Sequence, residues 1–171
     1  MNPKWFGDSY DIVKKFFVDT LKDIGYEVYI DPMFTGDWNG KEQHFIKFIG
    51  TKLNNDFENP VRKSALFVDP DTGIKEKTSP KHIKFKTIIQ RLEKYEIVFS
   101  FDQSFSRSKS SEEQMQKKLS ILKKLGGNSL YYDSHTKFLF TSKNLNAINA
   151  IRDRLLQIGI PNTRLITNKS P

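Results

Sequence analysis

Three hydrophobic runs in the chain each end in an aspartate, and patterns typical of helices separate the runs. The runs cover residues 26–31, 64–69 and 97–102, and their last residues are Asp31, Asp69 and Asp102. Short apolar runs bounded by turn signals are typical of buried strands. Because strands that alternate with helices form mostly parallel sheets, we expect the three aspartates to meet at the carboxyl edge, where open α/β sheets bind ligands.

The rest of the chain continues this alternation. Apolar residues at helical spacing predict helices over residues 8–24, 45–53, 85–95, 115–125 and 144–158. A polar loop is predicted over residues 54–60, a hairpin turn over 133–136 and an edge strand over 163–167. The sequence therefore predicts one three-layer, Rossmann-like α/β domain over residues 1–171, with a mostly parallel sheet and a late antiparallel hairpin.

Composition excludes several classes of protein. The 171 residues fit a single domain with one core, and no apolar run reaches the roughly 18 residues that a membrane-spanning helix needs. The first residues lack the apolar stretch of a signal peptide, so we expect a cytoplasmic protein without a membrane segment. The absence of cysteine excludes disulfides, thiolate metal sites and a cysteine nucleophile. No pattern indicates an oligomeric state.

The formal charge of +8, with a pI near 9.5, indicates a polyanionic partner. Lysine and arginine release counterions from a phosphate backbone, so nucleic acid is the partner that this charge favours. The alternative is that the charge serves solubility. The sequence does not distinguish RNA from DNA.

The strand-end aspartates are candidate metal ligands, because clustered carboxylates repel one another and a divalent cation relieves that repulsion. The predicted metal ligands are Asp31, Asp69, Asp71 and Asp102. Asp69, Asp71 and Asp102 are also candidate catalytic residues. The three histidines match no zinc motif, and oxygen ligands favour Mg²⁺ or Mn²⁺. In a basic protein this set predicts metal-dependent phosphodiester cleavage. The alternative for each aspartate is that it serves a turn or a helix cap. The alternative for the protein is a noncatalytic module that binds nucleic acid or another protein.

Other residues near the predicted edge are candidates for catalysis or substrate binding. His135 is a candidate general base if its hairpin turn faces the aspartates, and a turn-stabilising residue otherwise. Trp38 lies in the loop around Gly36 and either stacks on a base or packs on the sheet edge. The predicted phosphate ligands of the serine-rich loop after Asp102 are Ser104, Arg107 and Lys109, and the alternative is a solvated loop. The lysines at positions 117, 118, 123 and 124 are expected on the solvent face of their helix.

Two segments carry a resemblance to a known family. Residues 7–14 read Gly-Asp-Ser-Tyr-Asp-Ile-Val-Lys, and residues 65–70 read Ala-Leu-Phe-Val-Asp-Pro. They resemble stretches of the Rossmann-fold methyltransferases that act on adenine in ribosomal RNA, namely the segment before the first strand and the Asp-Pro-Pro-Tyr strand. The terminal hairpin is also similar. The resemblance implies S-adenosylmethionine bound near Asp31 and Gly36, and a target base beside Asp69.

Residues 6–9, Phe-Gly-Asp-Ser, resemble the opening block of the GDSL esterase family. That resemblance implies a nucleophilic Ser9 activated by His135. Asp8 also fits a helix cap, with Asp11 at the third helical position as in a variant of the capping box. We favour the cap, because the esterase block follows a hydrophobic strand and that context is missing here.

Overall fold

The computed structural model describes residues 2–54, 63–76 and 79–168. The α-helices are α1 (Ser9–Asp23), α2 (Glu42–Ile49), α3 (Phe85–Arg91), α4 (Ser111–Lys124) and α5 (Leu145–Gln157). The strands are β1 (Glu27–Asp31), β2 (Lys52–Leu53), β3 (Ser64–Val68), β4 (Gly73–Ile74), β5 (His82–Ile83), β6 (Ile97–Phe101), β7 (Asn128–Tyr132), β8 (Phe138–Ser142) and β9 (Leu165–Thr167). Short 3-10 helices cover Pro3–Trp5 and Asn162–Arg164. The polar loop predicted over residues 54–60 lies, beyond residue 54, outside the described residues.

The main sheet has the strand order β2-β1-β3-β6-β8-β7-β9. Strands β2, β1, β3 and β6 are parallel, and β8, β7 and β9 continue the sheet in antiparallel pairs. This order confirms the predicted Rossmann-like α/β class with a late antiparallel hairpin. The hairpin does not simply extend the sheet edge, because its second strand, β8, lies between β6 and β7. The predicted edge strand is confirmed as β9.

Two short pairings were not predicted. The second helix was expected to run to residue 53, but α2 ends at Ile49 because Gly50 takes a left-handed conformation with a φ of 78°. The chain then forms β2, which pairs with β1 at the edge of the sheet. Strands β4 and β5 form a separate parallel pair next to β6.

The helix α3 ends at Arg91, earlier than the predicted residue 95.

Alternating side chains of the central strands divide the core into two layers. Ala65 and Phe67 of β3 pack with α1, α2 and α5, whereas Leu66 and Val68 pack with α3 and α4. The sheet is therefore covered by helices on both faces, as predicted for a three-layer domain. Among the described residues, no helix combines the length and apolar character needed to cross a membrane.

The first helix buries only part of the face that its apolar residues predict. Asp8 caps it as expected, since its Oδ1 accepts hydrogen bonds from the backbone N–H groups of Tyr10 (2.9 Å) and Asp11 (3.2 Å). The helical spacing predicts six apolar residues on the core face. Phe17 and Leu21 are buried as expected, but Ile12 and Phe16 are 56% and 37% exposed. Asp11 and Lys14 are buried in their place, because a carboxylate at the end of β3 lies opposite them.

Trp38 packs inside the loop that follows β1. Its side chain is 2% exposed, and its ring lies 4.6 Å from the ring of Phe34 and 5.6 Å from that of Phe45. A base from outside cannot stack on a ring that is enclosed in this way. The packing alternative is therefore the one that the structure supports, and Trp38 fixes the shape of the loop beside the carboxyl edge.

Candidate functional site

A cavity of about 510 Å³ opens at the carboxyl edge of the sheet, between the start of α1 and the ends of β3 and β6. We call it the edge cavity. It is lined by Asn2, Trp5, Asp8, Tyr10, Asp11, Lys14, Asp69, Pro70, Asp71, Thr72, Lys81, Phe101 and Gln103. Among the described lining residues, four carboxylates outnumber two ammonium groups, although the protein as a whole is strongly basic. Two of the predicted catalytic residues, Asp69 and Asp71, lie here.

Asp69 is the most enclosed of these groups, with a side chain that is fully buried. Its Oδ2 accepts a hydrogen bond from Lys14 Nζ at 2.9 Å, and the same ammonium donates to Asp11 Oδ1 at 2.9 Å. Asp11 Oδ2 in turn accepts from the backbone N–H of Gly7 at 2.8 Å. Asp69 Oδ1, also screened from solvent, has no hydrogen-bond partner among the described residues. We call Asp11, Lys14 and Asp69 the buried triad.

The buried triad carries perturbed proton affinities. Burial raises the pKa of the Asp69 carboxyl, and the nearby Lys14 ammonium limits the rise. Burial alone lowers the pKa of Lys14, but the charges of Asp69 and Asp11 outweigh that effect and leave it above its usual range. A buried carboxylate beside a retained cation is an arrangement found at functional sites and also in structural ion pairs.

Asp71 lies two residues beyond Asp69 and also lines the edge cavity. Thr35 Oγ1, in the loop after β1, donates a hydrogen bond to Asp71 Oδ2 at 2.6 Å. This contact connects the Asp-Pro-Asp step to the loop that contains Gly36. Gly36 itself has a φ of 75° and lies next to the N-terminal segment, with Pro3 and Asn2 as its neighbours.

The hairpin turn of His135 lies at the rim of the edge cavity. Tyr10, which lines the cavity, has its hydroxyl 2.9 Å from His135 Nε2, and the two rings stack with centroids 5.8 Å apart. Gln103, another lining residue, donates from Nε2 to the backbone oxygen of His135 at 2.6 Å. The turn therefore faces the same edge as Asp69, which is the condition under which His135 is a candidate acid or base.

Trp5 provides an exposed aromatic surface at this cavity. It is 58% exposed and belongs to the short N-terminal 3-10 helix. An exposed ring at the entrance of a polar cavity is suited to stacking on a nucleobase. Trp5 thus has the exposure that the buried Trp38 lacks.

Asp102 lies in a closed network and not in the edge cavity. Its Oδ2 accepts from Lys118 Nζ (2.6 Å) and from the Tyr131 hydroxyl (2.7 Å). Its Oδ1 accepts from the Ser104 hydroxyl (2.6 Å) and from the backbone N–H groups of Ser104 and Ile74 (both 3.1 Å). We call this set the Asp102 network. The structure therefore bonds Asp102 and Ser104 to protein groups and does not bring them into the lining of the edge cavity. Their predicted roles as a catalytic metal ligand and a phosphate ligand stay predictions.

The Asp102 network leaves no room for a side chain at Gly73. A Cβ atom at Gly73 would lie 2.2 Å from Asp102 Oδ1 and 2.8 Å from Asp102 Cα, so only glycine fits where β4 passes the end of β6. Burial raises the pKa of the Tyr131 hydroxyl well above its usual range, and the neighbouring Asp102 charge raises it further. The hydroxyl therefore stays a hydrogen-bond donor.

Asp31 points to the opposite side of the sheet from Asp69. Its Oδ2 accepts from Arg91 Nη2 of α3 at 2.9 Å. Because strand side chains alternate between faces, the register that aligns Asp31 with Val68 places it on the α3 side, and Asp69 on the α1 side. This alternation separates Asp69 from Asp31 and Asp102, which lie on the α3 and α4 side with β3 between their strands.

The described residues contain no group of three or more His, Asp or Glu side chains placed to hold one metal ion. The four predicted ligands are divided between the edge cavity, the Arg91 ion pair and the Asp102 network. Arg107 and Lys109 are exposed and line none of these places. Their predicted contact with phosphate stays a prediction.

Sequence reasoning missed the charged residues that the core encloses. Asp11, Lys14, Val18 and Leu21 follow one another at helical spacing, and this spacing was the available signal for Asp11 and Lys14. Lys118 was expected in solvent with the neighbouring lysines, but it is 9% exposed and bound to Asp102. The other three lysines of that helix are exposed, as predicted.

The chain matches no protein-family model, and no significant match to it exists among curated proteins or solved structures.

Proposed function

We propose that the protein is a nucleic-acid phosphodiesterase and that cleavage takes place in the edge cavity. The observation that carries this proposal is the fully buried Asp69, which is ion-paired through one oxygen and has no described partner for the other. A buried carboxylate oxygen without a described partner is costly, and a substrate group or an ion that enters the edge cavity at the carboxyl edge of the sheet would satisfy it.

The charge of the edge cavity favours a divalent cation as a partner of the substrate. Four lining carboxylates would repel a phosphodiester, and the two lining lysines do not balance them. Mg²⁺ commonly binds through one or two carboxylates together with substrate phosphates and water, so it needs no complete cage of protein ligands. The residues that fit this role are Asp69, through the oxygen that has no partner among the described residues, and Asp71. An ion held by these two residues would supply the activation of water and the stabilisation of charge on phosphate.

Lys14, His135 and Trp5 have the remaining roles in the proposed cleavage. Lys14 holds Asp69 in place and keeps a positive charge in the cavity, because two carboxylates maintain its proton. Hydrolysis adds water across one P–O ester bond, and the leaving oxygen must receive a proton. His135, held at the rim by Tyr10, is the group that we assign to this delivery. Trp5 stacks on a base next to the scissile phosphate.

The direct test is a cleavage assay with the purified protein on single-stranded and duplex RNA and DNA. We expect cleavage with Mg²⁺ or Mn²⁺ and its loss in EDTA. Replacing Asp71 with asparagine should raise the Mg²⁺ concentration needed for half-maximal rate, by about tenfold for the loss of one charged ligand. Asp153→Asn, at an exposed position of α5 outside the edge cavity, is the matched control and should leave that concentration unchanged.

Binding of every probe without cleavage under any metal condition would contradict the phosphodiesterase and favour a noncatalytic nucleic-acid-binding module. Cleavage that persists unchanged in EDTA would contradict the role of the cation. Cleavage that is equally sensitive to Asp153→Asn would contradict the location in the edge cavity.

A second candidate is a reduced methyltransferase, which the resemblance implies. The observation in its favour is that Asp69 and Pro70 line a cavity together with the exposed aromatic ring of Trp5. Asp71 and Thr72 stand where the family has Pro-Tyr, the pair beside a flipped adenine. A thermal shift with S-adenosylmethionine would favour this candidate, and none is expected if the edge cavity is hydrolytic.

A further inference from the structure

A second cavity, of about 270 Å³, lies beside the carboxyl end of β1 on the α3 side of the sheet. Its polar lining residues are Asp31, Ser79, His82, Lys84, Thr87 and Arg91. We call it the His82 cavity. It differs in charge from the edge cavity, because its two fixed cations outnumber its single carboxylate.

His82 is the least satisfied group in this cavity. Both ring nitrogens, Nδ1 and Nε2, are screened from solvent and have no hydrogen-bond partner among the described residues. Burial lowers the pKa of the imidazole, and the charge of Lys75 lowers it further, so the ring is neutral at pH 7. A neutral imidazole offers one N–H donor and one acceptor, and leaving both unused is costly.

The two cations are placed differently. Arg91 Nη2 binds Asp31 Oδ2 at 2.9 Å, and this ion pair neutralises the only carboxylate of the lining. Lys84, directly before α3, adds a positive charge that no carboxylate of the cavity matches. The hydroxyl groups of Ser79 and Thr87 complete a set of donors. Hydroxyls, an ammonium, a guanidinium and an imidazole N–H together suit an oxyanion with several acceptor oxygens.

The chain connects the two cavities directly. Lys81 lines the edge cavity, while Ser79 and His82, on either side of it, line the His82 cavity. The backbone holds this segment against the Asp-Pro-Asp step, since the N–H of Thr72 donates to the Lys81 carbonyl oxygen at 3.0 Å. A ligand that crosses the carboxyl edge therefore meets an acidic cavity on one side and a basic one on the other.

We propose that the His82 cavity is a phosphate-binding subsite, which holds a backbone phosphate of the nucleic acid whose neighbouring nucleotide occupies the edge cavity. This inference rests on the proposed function for the identity of the chain that carries the phosphate. The same chemistry also accepts free phosphate or a mononucleotide, and the experiment separates these sources.

The test compares two lysines that lie two residues apart. Lys84→Gln removes a cation from the His82 cavity, whereas Lys86→Gln removes an exposed cation of α3 that lines neither cavity. Fluorescence anisotropy with a short single-stranded oligonucleotide in EDTA measures affinity without cleavage. We expect Lys84→Gln to weaken binding by about 3- to 10-fold and to reduce the slope of log K against log salt by about one. Lys86→Gln should have a clearly smaller effect.

Equal effects of the two variants would overturn the subsite. Titration of the wild-type protein with inorganic phosphate provides a second measurement, in which the ring NMR signals of His82 should shift and those of His44 should not. If phosphate shifts the His82 ring signals but Lys84→Gln leaves the oligonucleotide affinity unchanged, the cavity is assigned to free phosphate or a mononucleotide. Selective loss of oligonucleotide binding in a protein that never cleaves would support the subsite and contradict the phosphodiesterase.

Discussion

Replacing Asp69 with asparagine is expected to reduce Mg²⁺-dependent cleavage by at least about 100-fold while the protein stays folded. Asparagine keeps the size of the side chain and can still accept the hydrogen bond from Lys14, but it removes the charge that a cation or an activated water requires. Lys14 also retains its ion pair with Asp11. Because burial already raises the pKa of Asp69, a neutral group at this position is not expected to lower stability strongly.

The measurement is the initial cleavage rate at several Mg²⁺ concentrations, together with the thermal unfolding temperature of each variant. Asp153→Asn, at an exposed position of α5, is the matched control and should leave both quantities unchanged. A rate within about threefold of the wild type for a folded Asp69→Asn protein would contradict the assigned site, since this is far less than a group at the reacting centre contributes. A loss of rate that accompanies unfolding would instead mark Asp69 as structural.

The fold class was predictable because local patterns carry it. All five residues of β3 and of β6 are buried, so these parallel strands appear as continuous apolar runs in the sequence. The helix caps at Asp8 and Asn144 were likewise visible in single residues. The insertion of β8 between β6 and β7 was not predictable, because strand order depends on long-range pairing and leaves no local pattern in the sequence.

The sequence predicts which aspartates end the strands but not which residues they contact. Asp69 and Asp102 both follow a buried strand, and nothing local distinguishes them. Their environments differ because they lie on opposite faces of the sheet, Asp69 opposite Lys14 of α1 and Asp102 opposite Lys118 of α4. The register of a strand decides which face its aspartate lies on, and shifting that strand by one residue would move the aspartate to the opposite face. The residues at the end of an apolar run were therefore predictable, whereas their partners were not.

Buried charges on helices were missed for a related reason. A lysine in a helical sequence is normally solvated, so Lys118 and Lys117 look alike in the sequence. Only the fold shows that Lys118 reaches a carboxylate enclosed behind β6. The same holds for Lys14, whose partner Asp69 is distant in sequence and adjacent in space. Such pairs are a tertiary property, because each member becomes tolerable in the core only when the other is present.

Replacing Lys118 with methionine is expected to lower the free energy of unfolding by about 3–5 kcal/mol, because it leaves the enclosed Asp102 carboxylate without its cation. Lys118 Nζ also lies 4.2 Å from the centre of the Phe105 ring and donates to Ser104 Oγ at 2.8 Å, so further favourable contacts disappear with it. Burial lowers the pKa of Lys118 while Asp102 opposes that effect, which indicates a costly charge that its partner stabilises.

Lys117 provides the matched control, since it is the neighbouring residue on α4 and is exposed. Chemical denaturation of Lys117→Met should give a free energy of unfolding within about 0.5 kcal/mol of the wild type. The double variant Lys118→Met with Asp102→Asn should recover part of the loss, because it removes the unpaired charge as well as the cation. Equal stability of the two single variants would contradict a buried ion pair. A double variant less stable than Lys118→Met would contradict the unpaired Asp102 charge as the cause, and would assign the loss to the other hydrogen bonds that Asp102 accepts.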